Sequence, residues 1–129
     1  MPLIFSLLVL AATTSGSTAA DFAGAVIARG HSIACVFFMD DGVYQGQGSA
    51  VYPQDERNPV HTWQALHDAH QVELVLCISS ALKRGILNQQ EMQRHEQNAA
   101  SMHGAFQIGG LGLLIDAFAH SDLLITFGR

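Results

Sequence analysis

The chain has 129 residues, half of them apolar, enough to build one domain over 1–129 with a packed core and no disulfide framework. Eleven acidic residues against six basic ones give a net charge of −5, which excludes the basic footprint that grips a phosphate backbone, so any link to RNA would run through partners. Its two cysteines lie in or at the end of apolar runs, a pattern suited to a reducing, cytoplasmic setting.

In chain order, the first feature is the apolar run Leu3 to Ala12 followed by Thr18-Ala19-Ala20, which has the outline of a signal peptide. No Lys or Arg precedes Arg29 and the run is too short to span a bilayer, so a buried strand over about 3–10 is expected, with no membrane association. Ser17 is a plausible N-cap for a helix whose Phe22, Ala23, Val26 and Ile27 share one face and which stops at Gly30. Ser32 to Phe38 reads as the second strand, and the Gly-, Gln- and Pro-rich stretch Val43 to Asn58 as an exposed loop. A helix over Val60 to His70 turns Trp63 and Leu66 inward, and Val72 to Cys77 is the third strand. A short helix through Lys83, a polar helical stretch Asn88 to Asn98, a short strand Phe106 to Ile108, a helix Leu111 to Ala119 and a strand Leu123 to Phe127 complete the chain.

Strands that are apolar throughout, alternating with helices, predict an α/β fold: a three-layer α/β/α sandwich around a mainly parallel five-stranded sheet. In such sheets the working site lies beyond the carboxyl ends of the strands, where both Cys77 and the Asp40-Asp41-Gly42 turn fall. Cys77 ends a strand and opens a helix, so backbone N–H groups and the positive end of the helix dipole favour thiolate over thiol. Packing as a small apolar side chain is the competing account of this residue. Lys83-Arg84 either supports the anion or complements the carboxyl end of the helix.

The other candidates read as structure. Cys35 sits inside Ile33-Ala34-Cys35-Val36-Phe37 with no basic residue nearby, so burial accounts for it and it is not expected to act as a resolving thiol. His61, His67 and His70 share a helix but lack zinc-ligand spacing, and no metal or cofactor is predicted. Gly42, Gly46 and Gly48, and Gly109, Gly110 and Gly112, lack the spacing of a phosphate loop and read as tight turns and close helix packing. Asp40-Asp41 has no second carboxylate or base to work with and reads as turn chemistry beside Gly42. The polar 88–98 stretch and the 43–58 loop offer little burial, so part of this surface is expected near partner subunits.

Three segments together carry a family resemblance. They are Cys77-Ile78-Ser79-Ser80-Ala81-Leu82-Lys83-Arg84-Gly85, then Val36-Phe37-Phe38-Met39-Asp40-Asp41-Gly42 after Gly30-His31, and Gly109-Gly110-Leu111-Gly112-Leu113 before Asp116-Ala117, with Pro53, Asp55 and Trp63 also in place. In order and spacing this resembles the TusD/DsrE sulfur-relay family from about Gly30 to Phe127. The resemblance implies a DsrE-like fold, a sulfurtransferase subunit, and Cys77 as the catalytic cysteine that carries a persulfide. It also implies a TusA-like sulfur donor, a TusE-like acceptor, and TusB-like and TusC-like subunits completing a heterohexamer, with 2-thiolation of the tRNA wobble uridine as the outcome. A sulfur-trafficking role in dissimilatory sulfur oxidation is the nearest alternative, and a non-catalytic assembly module the more distant one. Two departures stand out: Ala11 to Ser17 replaces the family's Gly-Pro-aromatic loop, and Ser79 and Ser80 replace its common alanines.

Overall fold

Each apolar run set between helix-length segments becomes a strand of one sheet. The computed structural model describes residues 1–12 and 14–128, and their side chains apart from those of 14–17. Its strands are β1 (Ile4–Val9), β2 (Ser32–Phe38), β3 (Glu73–Cys77), β4 (Gln107–Gly109) and β5 (Leu123–Phe127). They lie in the order β4-β3-β2-β1-β5 and every pairing is parallel, so all the carboxyl ends share one edge. The central strands β1, β2 and β3 are buried on both faces, which is why their sequences show apolar runs rather than alternation.

The α1 helix (Thr14–Ala28) and α2 (Pro59–His70) cover one face over the larger core cluster, which holds Leu7, Val36, Phe38, Trp63, Leu74 and Leu76. The first of these begins a turn before the expected cap at Ser17, whose side chain lies outside the described residues. It ends as expected: Gly30 adopts φ +90°, with Gly30 N–H donating to Ile27 and His31 N–H to Val26, the paired bonds of a left-handed helix stop. The second starts on Asn58, whose Oδ1 accepts from Val60 N at 3.1 Å, with Pro59 in the first turn. Trp63 is fully buried and meets the Phe38 ring edge-on at 5.2 Å, and Leu66 packs against the same core.

The segment after β2 departs from expectation. Asp40–Gly46 is a 3₁₀ helix with Gly42, Val43, Gln45 and Gly46 buried, so the exposed loop starts only beyond it. Gln45 is buried because both ends of its amide are used: Oε1 accepts from Trp63 Nε1 at 2.6 Å and Nε2 donates to the Ala11 carbonyl at 2.8 Å. Gly42 lies so close to the Val9 carbonyl that any Cβ would collide with it. The polar 88–98 stretch is helical only as α4 (Gln89–Arg94), capped by Asn88, and it buries Glu91 against Arg94.

The other face of the sheet carries α5 (Leu111–Ala119) over a smaller cluster of Cys35, Phe37, Val75, Cys77 and Ala117. This helix is apolar beyond what it buries: Leu111, Ile115 and Phe118 are exposed, the latter two by 67% and 62%. Exposed apolar surface is thus gathered on this helix, with Tyr44 and Val51 adding to it in the 43–58 segment. No helix among the described residues is long and apolar enough to cross a membrane.

Candidate active site

The α3 helix (Ile78–Lys83) follows β3 without a connecting residue, and this makes Cys77 both the last strand residue and the N-cap of the helix. Its sulfur therefore occupies the place from which a capping side chain meets the N–H groups two and three residues on, those of Ser79 and Ser80. No capping bond closes within ordinary limits, yet both N–H groups act on the charge of the sulfur. The Ser79 hydroxyl lies 3.5 Å from Sγ. Burial on its own pushes the Cys77 thiol up, but the side-chain and backbone groups of Ser79 and Ser80 together outweigh it and hold the thiol below its ordinary value.

Cys77 is only 3% exposed. β4 runs alongside, with Gly109 in register opposite Cys77. A Cβ on Gly109 would collide with Leu113 and come within 2.9 Å of Val75 Cγ1, so the glycine permits α5 to close down beside the cysteine, as its reading for close helix packing requires. The glycine-rich segments thus serve packing at Gly42 and Gly109, where side chains have no room.

Of the basic pair, Arg84 is engaged elsewhere than at the thiol. Arg84 forms the C-cap of α3 and donates from Nη1 to the Ser80 carbonyl at 3.1 Å, the helix-end role named as its alternative. Its Nε and Nη2 also donate to Asp41 Oδ1 at 3.2 and 3.1 Å, so Asp41 is both a turn residue and an anchor between the 3₁₀ helix and α3. Asp40 takes a left-handed conformation, φ +51°, and its N–H donates to Ser80 Oγ at 3.0 Å. The Ser80 hydroxyl thus finds its partner in a turn 40 residues away, whereas that of Ser79 meets Cys77 two residues back.

Cys35 occupies the same cluster but a different environment. It pairs in register with Glu73, four residues before Cys77, which puts the cysteines about 13 Å apart along the strands and out of disulfide reach. Burial first, and then the Glu73 carboxylate, push its thiol up to about 12. The histidines take separate structural positions: His67 Nδ1 bonds the Val72 carbonyl and His31 Nδ1 accepts from Leu3 N. Among the described residues no three His, Cys, Asp or Glu side chains gather to hold a metal.

Comparison with known proteins bears on this arrangement. The model of the DsrE/DsrF-like family matches residues 5–127. Similar proteins include the putative sulfurtransferase DsrE of Allochromatium vinosum, 36% identical over 88% of this chain and 88% of that one. Sulfurtransferase TusD of Klebsiella pneumoniae is 36% identical over 89% of this chain and 90% of that one, and the TusD homolog of Vibrio cholerae 37% identical over 89% and 88%. In fold, the chain superposes on the ychN protein from E. coli with a TM-score of 0.74, covering 98% of this chain and 100% of that one at 22% identity.

Proposed function

Because the chain belongs to the DsrE/DsrF-like family and is a sulfurtransferase, we propose that Cys77 is the residue that carries the sulfur. The observation that supports this reading is the place of the thiol, at the carboxyl edge of the sheet, at the start of a helix and 3.5 Å from the Ser79 hydroxyl. In the proposed step the Cys77 thiolate attacks the outer sulfur of a donor persulfide. The new sulfur–sulfur bond forms as the old one breaks, the donor cysteine leaves as a thiolate, and Cys77 becomes the persulfide. An acceptor thiolate then attacks the outer sulfur in the same way and returns Cys77 to thiolate. Neither step needs an external oxidant or reductant.

The finer reading is a subunit of a sulfur relay, with a TusA-like donor, a TusE-like acceptor and tRNA wobble-uridine thiolation as the end point. Relatives named TusD and DsrE match equally well, at 36 to 37% identity, so trafficking in sulfur oxidation stands beside it as the second reading. Assembly with TusB-like and TusC-like subunits fits the apolar surface of α5, and a cytoplasmic setting fits two free thiols. Loading the chain from a persulfidated donor and mapping the modified peptide by mass spectrometry tests the central step. Label on Cys77 is expected; label confined to Cys35, or on neither, overturns it. Copurification with the products of neighbouring genes separates the relay from the oxidation branch.

A further inference from the structure

Four residues close a circuit beside the thiol. The Asp40 N–H donates to Ser80 Oγ, the Ser80 carbonyl accepts from Arg84, and Arg84 grips Asp41, next in chain to Asp40. The circuit ties the start of the 3₁₀ helix to α3 and holds Asp40 in a left-handed conformation that an aspartate adopts at a cost. Because the Ser80 oxygen already accepts a bond, its own proton is left to point elsewhere, and Ser80 is buried three residues after Cys77. Ser79 is exposed and bonds Sγ directly.

From this circuit we propose that Ser79 and Ser80 are positioning residues for Cys77, Ser79 through its bond to Sγ and Ser80 as the joint that couples the thiol to the Asp40-Asp41 turn. The proposal rests on the reading of Cys77 as the sulfur carrier for its functional meaning, but not for its test. The serines set the pH range over which Cys77 is ionised. Groups of Ser79 and Ser80 hold the Cys77 thiol down against its burial. The charged groups on the elements around it are Glu73 on its own strand, Asp40 and Asp41, Lys83 and Arg84, and Asp116 on α5, and Arg84 is paired with Asp41.

The test follows alkylation of Cys77 by iodoacetamide across pH, read peptide by peptide, in the parent chain, Ser79→Ala, Ser80→Ala, the double variant and Ser80→Thr. A hydrogen bond to a charged group contributes enough that the double variant is expected to react about tenfold more slowly at neutral pH. Its rate should return to the parent's in strong base, where every thiol is ionised. Ser80→Thr, which keeps the hydroxyl, should restore the parent profile. Thermal melting separates unfolding from tuning, and Ser79→Ala, at an exposed position, supplies the answer should Ser80→Ala fail to fold. A double variant, or Ser79→Ala in that event, that melts like the parent and alkylates with the same pH profile overturns the proposal. A shifted profile with no sulfur ever loaded on Cys77 upholds the positioning and overturns the transfer reading instead.

Discussion

Cys35 and Cys77 point into the same small cluster on the same face of the sheet and are equally hidden, at 4% and 3% exposure. Their thiols nevertheless move in opposite directions, Cys35 up to about 12 and Cys77 below its ordinary value. Surface exposure alone therefore does not decide which cysteine is reactive: burial is the main cause that raises Cys35, and at Cys77 it is outweighed by the groups of Ser79 and Ser80. Position along the strand does: Cys35 lies where β2 is flanked on both sides and its nearest charge is the Glu73 carboxylate, whereas Cys77 lies where β3 gives way to a helix and N–H and O–H donors converge. One cysteine is a packing residue and the other a poised anion because the chain changes secondary structure at one and not at the other.

The strongest way to break this contrast is to remove each sulfur in turn. Cys77→Ser is expected to fold as the parent does and to lose more than about a hundredfold in sulfur transfer, since the nucleophile is gone with little change in volume. Cys35→Ser should keep its transfer rate but lose roughly 1–2 kcal/mol of stability by burying a hydroxyl where a thiol packed. Transfer assays paired with urea unfolding read both, and equal losses of transfer in the two variants would erase the distinction.

A second variant disturbs the packing shared by the two cysteines without touching a donor. Gly109→Ala forces a methyl against Leu113 and Val75, and should cost about 1–3 kcal/mol by overpacking. If hydrogen bonding rather than burial controls Cys77, the pH profile of its alkylation should survive this change. A profile displaced as far as that of the serine double variant would assign control to packing.

A smaller effect separates the thiols by linkage. Cys35 keeps its proton in the folded chain up to about pH 12, while the unfolded chain releases it in the ordinary thiol range. Its contribution to stability is complete below that range and is lost as pH rises, by roughly 1 kcal/mol at about pH 10. Cys77 has the opposite sign: its contribution is complete above the ordinary range and is lost as pH falls through its depressed value. Comparing the pH dependence of unfolding for the parent with that for Cys35→Ala should remove the alkaline slope, and an unchanged slope would mean that other groups carry it.

Much of the fold was legible because parallel strands buried on both faces leave long apolar runs. The β2, α5 and β5 segments match their expected limits residue for residue. The 43–58 stretch was misread at its start because Gln45 looks like a surface residue until Trp63, 18 positions later, takes its carbonyl. Cys77 was legible as a strand-to-helix cysteine, and Arg84 as a helix-end charge. The roles of Ser80 and Asp41 were not, since both depend on contacts between the 3₁₀ helix and α3, and those register in the sequence only as a small polar residue and a turn. The exposure of Ile115 and Phe118 leaves no mark in the sequence for a related reason: an apolar helix reads the same whether its outer face meets core or solvent.

Side-by-side alkylation midpoints for Cys35 and Cys77, taken by mass spectrometry on the native chain and on a denatured control, measure the contrast directly. Cys77 should ionise at lower pH in the native chain than in the denatured one, and stay reactive toward neutrality, while native Cys35 remains unmodified until strongly alkaline pH. A native Cys77 midpoint at or above the denatured value would contradict the account: burial would then outweigh the serine and backbone donors, and the thiol would have to be activated by a docked partner.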